Sequence, residues 1–222
     1  MTNVILTSSD RHEFGAYRAD PDGAPRGAIV VIQEIFGVNT HIRSICDRLA
    51  VFGYVAIAPT LFDRIERDFQ SGYSPEEVTR AREFIPSADR DGFVRDVDAA
   101  RAAVSDAGKV GVVGFVLAGP SRSWRVPDLK AFRLHPGFMV VVSRLLAMRR
   151  HVARRNYIMG SEDQGIPMSN VDSVRAQRSD CDIFVDQGAG HGFNWDERAS
   201  FDEETAKAAW TRTVKLFAEH VG

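Results

Sequence analysis

The stretch that most constrains the fold is residues 109–120, K-V-G-V-V-G-F-V-L-A-G-P. Val110, Val112 and Val113 form a short β-branched run that leads into a turn marked by Gly114 and Gly119. Such a run reads as a strand buried on both faces, and the glycines beyond it mark a sharp turn into a closely packed helix. Turns of this kind lift a nucleophilic side chain out of a parallel sheet. A Ser or Cys belongs midway between Gly114 and Ala118, but the residue there is Val116. The chain has the frame of a nucleophile-bearing turn without the nucleophile.

The 222 residues suffice for one domain, 1–222, with a sizeable core. The net charge of −2 gives no reason to expect nucleic acid as a partner. No apolar run approaches about 20 residues, so no membrane span is expected. The N-terminal residues lack the basic-then-apolar pattern of a secretory signal, and two cysteines, Cys46 and Cys181, make no disulfide framework. A cytoplasmic monomer is the expectation.

Along the chain, residues 4–7 and 14–19 read as an antiparallel edge pair, followed by a turn cluster at 20–26. Residues 27–33 are a continuous apolar strand that ends in the loop 34–37, where open α/β sheets place their ligands. Asn39 and Thr40 open a helix with Ile42, Ile45, Leu49 and Val51 on its apolar face, and Gly53 stops it. A strand at 54–58 is closed by Pro59, and residues 61–73 read as an irregular polar rim of a pocket. Ser74-Pro75-Glu76-Glu77 starts a helix with acids at the positive end of its dipole. A second amphipathic helix spans 91–107. Farther on come a helix at 171–178, a strand at 182–185 and a closing helix at 203–220 with Ala208, Trp210, Val214, Leu216 and Phe217 on its apolar side. This alternation predicts an α/β fold: a mainly parallel central sheet with helices on both faces.

Residues 117–159 break the pattern. They hold eight Arg and one Lys against a single acid, Asp128, so the net −2 divides into +8 here and −10 elsewhere. Residues 143–154 read as a basic amphipathic helix, while the helix due after residue 116 and the strand due before Asp163 are poorly written.

A nucleophilic triad in this architecture runs nucleophile, acid, base along the chain. Here that order gives position 116, Asp163 and His191, each in a loop after a predicted strand. His191 stands in G-A-G-H-G-F, where glycines leave the imidazole open to a neighbouring loop. A neutral imidazole takes the nucleophile's proton, and a carboxylate fixes its tautomer. A loop histidine bonded to backbone is the plainer alternative. Glu34 follows an all-apolar strand directly, where a carboxylate is costly unless paired or solvated.

Several motifs in register resemble the dienelactone hydrolase family: Q-E-I-F-G at 33–37, V-G-V-V-G-F at 110–115, S-E-D-Q-G-I-P at 161–167, G-A-G-H-G-F-N at 188–194 and D-E-R-A-S-F-D at 196–202. The resemblance covers residues 3–115 and 160–221. It implies an α/β-hydrolase fold and hydrolysis of a small-molecule lactone or carboxylic ester through a cysteine, without metal or organic cofactor. Position by position it implies that Asp163 and His191 are the acid and base, that Glu34 engages and activates the thiol, and that the N–H groups of Ile35 and Leu117 form the oxyanion hole. The nucleophile position is Val116, so that role does not carry over. Trp195 stands where some members place a substrate-binding arginine. Arg80 and Arg82 read as a solvated helix face, with carboxylate binding as the alternative. Ser121 and Ser123 lie too far along to replace the nucleophile, and Cys46 and Cys181 are not at the turn.

Loss of a triad nucleophile costs up to ~10⁶ in rate, about 8 kcal/mol. A β-branched residue also fits poorly at a turn centre with positive φ, which compromises the Leu117 N–H. Residues 116–159 are readable as out of frame. Starting one nucleotide earlier, a Phe115 codon ending in T followed by GT gives TGT, cysteine. Leu117 to Pro120 then permit x-Gly-Gly-Ser, and residues 138–141 permit Tyr/His-Gly-Gly. The remaining alternatives are a non-catalytic relative that binds small carboxylic ligands and a basic-helix protein that binds polyanions through residues 143–154.

Overall fold

The computed structural model describes residues 1–115, 139–142, 155–164, 166–177 and 182–222. β1 (Thr2–Thr7) and β2 (Glu13–Ala19) form the antiparallel edge pair. β3 (Gly27–Ile32) is buried at every position, as a strand covered on both faces must be. α1 (Thr40–Val51) begins where Asn39 accepts the Ile42 N–H, and the chain leaves it through Gly53 at φ +90°. Ile42, Ile45 and Leu49 are buried as expected, but Val51 is 87% exposed. It lies two residues past Leu49, on the opposite side of a 3.6-residue repeat.

β4 (Tyr54–Pro59) is fully buried. Residues 61–73 differ from the expected polar rim. A 3₁₀ turn at Leu61–Arg64 and the residues after it bury Leu61, Phe62 and Phe69, and Phe62 stacks on Phe84. α2 (Pro75–Arg82) carries a capping box between Ser74 and Glu77. α3 (Arg90–Ala103) is capped by Asp89 and yields to a short 3₁₀ turn at Ser105–Ala107, so the helix expected to reach residue 107 ends earlier. β5 (Val110–Gly114) is buried throughout. β6 (Met139–Val142), β7 (Arg155–Gly160), α4 (Met168–Gln177), β8 (Asp182–Asp186) and α5 (Glu203–His220) follow. β7 forms with Tyr157, Ile158 and Met159 buried, although the sequence there reads weakly as a strand.

The described strands make one sheet in the order β1-β2-β4-β3-β5-β6-β7-β8. β2 and β6 run against the other six, so the sheet is mixed while most of its strands share a direction. β6 falls inside the arginine-rich stretch, the part of the sequence that departs from the α/β pattern. Alternate residues of the central strands feed two cores. Ala28, Val30, Ile32, Val110 and Val112 pack under α3, with Phe93, Val97 and Ala100. Ile29, Val31 and Val113 pack under α1 and α5, with Ile42, Leu49, Trp210, Leu216 and Phe217. Burying a side chain such as Phe217 is worth about 1.5–3 kcal/mol, which is what clamps α5 to the sheet. Gly111 lets that helix approach: a Cβ there would lie 2.9 Å from both Ile29 and Val221. No helix among the described residues is long and apolar enough to cross a membrane.

Candidate active site

β3, β5, β7 and β8 point the same way, so the loops that leave their C-terminal ends share one edge of the sheet. Glu34, Phe115, Asp163 and His191 all stand just beyond those ends. Open α/β sheets bind ligands along such an edge.

The loop after β7 and the loop after β8 are laced together by backbone. Ser161 N–H donates to Asp186 O at 3.0 Å and Glu162 N–H to Ala189 O at 2.9 Å. The Gly188 N–H donates to Ser161 Oγ at 2.9 Å. Gly160 permits this: a Cβ there would lie 2.1 Å from Ala189 O. The result brings Asp163 and His191 together, with Nδ1 2.9 Å from Oδ2. Asp163 is buried and His191 partly exposed, and the other Asp163 oxygen accepts the Ile166 N–H at 3.1 Å. An Nδ1–H donated to a carboxylate leaves Nε2 as the proton acceptor, the tautomer a general base needs.

Glu34 is 5% exposed, and among the described residues its Oε2 has no hydrogen-bond partner. Burial pushes its carboxyl well above the ordinary range, and the Arg198 guanidinium offsets only part of this. The backbone around it is held by Gln33, whose side chain accepts the Leu61 N–H at 2.9 Å. Ile35 is buried, and among the described residues nothing accepts its N–H. The Phe115 N–H donates to Ile32 O at 3.3 Å, which sets the end of β5 beside the Glu34 loop. Val116 and Leu117 lie outside the described residues, as do Ser121, Ser123, Cys181 and residues 143–154. Cys46 is fully buried in α1, and burial raises its thiol pKa, so it is unsuited to attack. Arg80 is half exposed and paired with Glu66 and Glu83, as a solvated helix face would be.

An aromatic cluster that sequence reasoning missed joins these loops. Trp195 is 2% exposed; its ring stacks on His41 at 4.6 Å and meets Tyr73 and Phe36 edge-on at 4.8 and 5.6 Å. The Tyr73 hydroxyl accepts from Trp195 Nε1 and from Asn39 Nδ2, each at 2.7 Å. Arg198 lies over Trp195, Tyr73 and Phe36, its Cζ 5.0–6.0 Å from the ring centres. His41 also meets Phe115 edge-on at 5.7 Å. Burial pushes the His41 imidazole down to about 4, so it is neutral at physiological pH. Positions 41, 42, 45 and 49 share one face of α1, so His41 was legible as a buried polar residue. Among the described residues no group of three His, Cys, Asp or Glu side chains is placed to hold a metal ion.

Comparison with known proteins bears on the family and the fold. A protein of Methylorubrum extorquens named "Putative carboxymethylenebutenolidase" is 34% identical over 227 residues, covering 92% of this chain and 76% of its own. One of the same name from Synechocystis is 29% identical over 97% of this chain and 96% of its own. The crystal structure of a "Putative Dienelactone Hydrolase" from Klebsiella pneumoniae superposes with a TM-score of 0.73 at 28% identity, covering 99% of this chain and all of that one. An α/β serine hydrolase homologue from Coxiella burnetii shares the fold at a TM-score of 0.58 and 12% identity, covering 96% of each chain. The model of the dienelactone hydrolase family matches residues 14–221, and the chain belongs to that family.

Proposed function

We propose that the site is built for hydrolysis of a lactone or carboxylic ester by acyl transfer to a cysteine, with His191 as base and Asp163 as its orienting acid. The observation that carries this reading is the 2.9 Å contact between His191 Nδ1 and Asp163 Oδ2 at the loop edge of the sheet. In the reaction His191 takes the thiol proton and the thiolate attacks the carbonyl carbon. The oxyanion is met by the Ile35 and Leu117 N–H groups, and the alcohol leaves with the proton from His191. Water then attacks the thioester along the same path and regenerates the thiol. Glu34, whose carboxyl burial pushes up, is the residue we assign to engage the thiol. No metal or organic cofactor enters these steps.

Val116 removes the attacking atom, so this chain is a hydrolase framework that binds its ester and turns it over slowly. The reversed β6 inside the arginine-rich stretch supports the reading that residues 116–159 are out of frame. We assign the chain to the cytoplasm on its two cysteines, which make no disulfide framework. Turnover of an activated aryl ester tests the function. The wild type shows little, Val116→Cys alone restores little, and the chain with residues 116–159 returned to frame restores activity that His191→Ala abolishes. Full recovery by Val116→Cys refutes the frame account, and an uninterrupted coding frame does so independently. Activity that survives His191→Ala refutes the acyl-transfer reading.

A further inference from the structure

The acyl-transfer reading gives Glu34 a task and leaves His41 without one. His41 is 6% exposed and its ring is fixed against Trp195 on one side and Phe115 on another. Its Nε2 is buried, and among the described residues it has no hydrogen-bond partner. A buried polar atom without a partner destabilises a fold, and phenylalanine would make the same two ring contacts without that cost. The imidazole stands where the loops of the site meet. Phe115 is the residue before position 116, and Trp195 follows His191 by four residues.

We propose that His41 is a specificity-determining residue, whose Nε2–H donates to an oxygen of an uncharged aryl ester or lactone held at the end of β5. The location rests on the acyl-transfer reading; the recognition chemistry rests on His41 and its neighbours. Ester and lactone oxygens only accept, which requires the Nε2–H tautomer. The charges around the imidazole balance, so a buried anion gains no net compensation there. Asp196 and Arg48 act on His41 with opposite sign, and Glu197 acts on Tyr73, while the cation Arg198 lies over Phe36, Tyr73 and Trp195. The aromatic neighbours suit a flat, unsaturated ligand.

The test uses the wild-type chain with dihydrocoumarin, an uncharged aryl lactone, and its ring-opened hydroxy acid, an anion, as probes. NMR titration reads the dissociation constant and the ¹⁵N resonance of His41 Nε2. The lactone is expected to bind and to shift that resonance, and the hydroxy acid to bind at least about tenfold more weakly. His41→Phe is expected to raise the melting temperature by about 2–4 °C while weakening lactone binding about tenfold, the value of one hydrogen bond. His41→Gln, which keeps an N–H donor, is expected to bind the lactone more tightly than His41→Phe does. If His41→Phe fails to fold, the comparison of His41→Gln with wild type and the ¹⁵N shift decide. Unchanged lactone affinity in His41→Phe, equal binding of the hydroxy acid, an unmoved His41 resonance or no lactone binding by the wild type would each overturn the proposal. None of these readouts needs turnover, so they fail independently of the His191→Ala assay.

Discussion

His191 and Asp163 are 28 residues apart in sequence, and their side chains meet at 2.9 Å because the loops that carry them are bonded backbone to backbone. Asp163 is buried and its second oxygen is committed to the Ile166 N–H, so the carboxylate has little freedom to turn away. Asp163→Asn keeps the shape but presents an amide that favours the wrong imidazole tautomer. In the chain returned to frame, kcat for an aryl ester is expected to fall by about 10⁴ with little change in melting temperature.

Gly160 is a second point of failure for the same pair. A methyl group there collides with Ala189 O, and backbone on both sides must move. Gly160→Ala is expected to destabilise the fold by about 1–3 kcal/mol. It is also expected to lengthen the His191–Asp163 contact, read as loss of the downfield Nδ1–H proton signal in NMR.

Glu34 and His41 predict opposite pH responses. His41 titrates near 4 when folded against about 6.5 when unfolded, so the unfolded chain binds more protons between those values. Its contribution is complete above about pH 6.5 and falls by about 3 kcal/mol as pH drops to 4. His41→Phe is expected to flatten the stability curve over that window. Glu34 has its folded pKa raised, so its contribution is complete below the ordinary carboxylate range and is lost as pH rises through the folded value. Glu34→Gln is therefore expected to equal wild type near pH 4 and to exceed it increasingly at higher pH. Melting temperatures across pH 4–9 check both.

Far from the site, Asp96 is fully buried and held by Arg64 through two contacts of 2.7 Å, and Arg64 also reaches Asp10. Arg64→Met leaves a buried carboxylate unpaired and is expected to cost about 3–5 kcal/mol. Asp10 is held far below the ordinary carboxylate range by Arg64 first and Ser8 second. That contribution is present above about pH 4 and fades as pH falls below it. The acid limb of a stability profile is expected to be shallower in Arg64→Met.

Much of the framework was legible because its signals are local. Asn39 before Thr40, Gly53 after Phe52, Ser74-Pro75 before two acids and the valines of β5 each specify a boundary through nearest neighbours. The pairing of Asp163 with His191 was legible because each follows a strand and the two stand in the chain order of a triad's acid and base. What escaped depends on partners distant in sequence. Phe62 and Phe69 join the core only because α2 and α3 lie over them, and nothing within residues 61–73 announces that. Tyr73, Trp195 and Arg198 form one cluster only after the sheet brings the loops at 73 and 195 together. β6 is weakly written within the arginine-rich stretch, and no local signal fixes the direction in which its four residues cross the sheet.

The lacing between the β7 and β8 loops also bears on how this framework can be re-engineered. Because Gly160 admits no side chain against Ala189, the two loops behave as a single cassette. A graft from a relative must carry residues 160–163 and 186–192 as a pair, since either half alone would arrive without the surface it was shaped to fit.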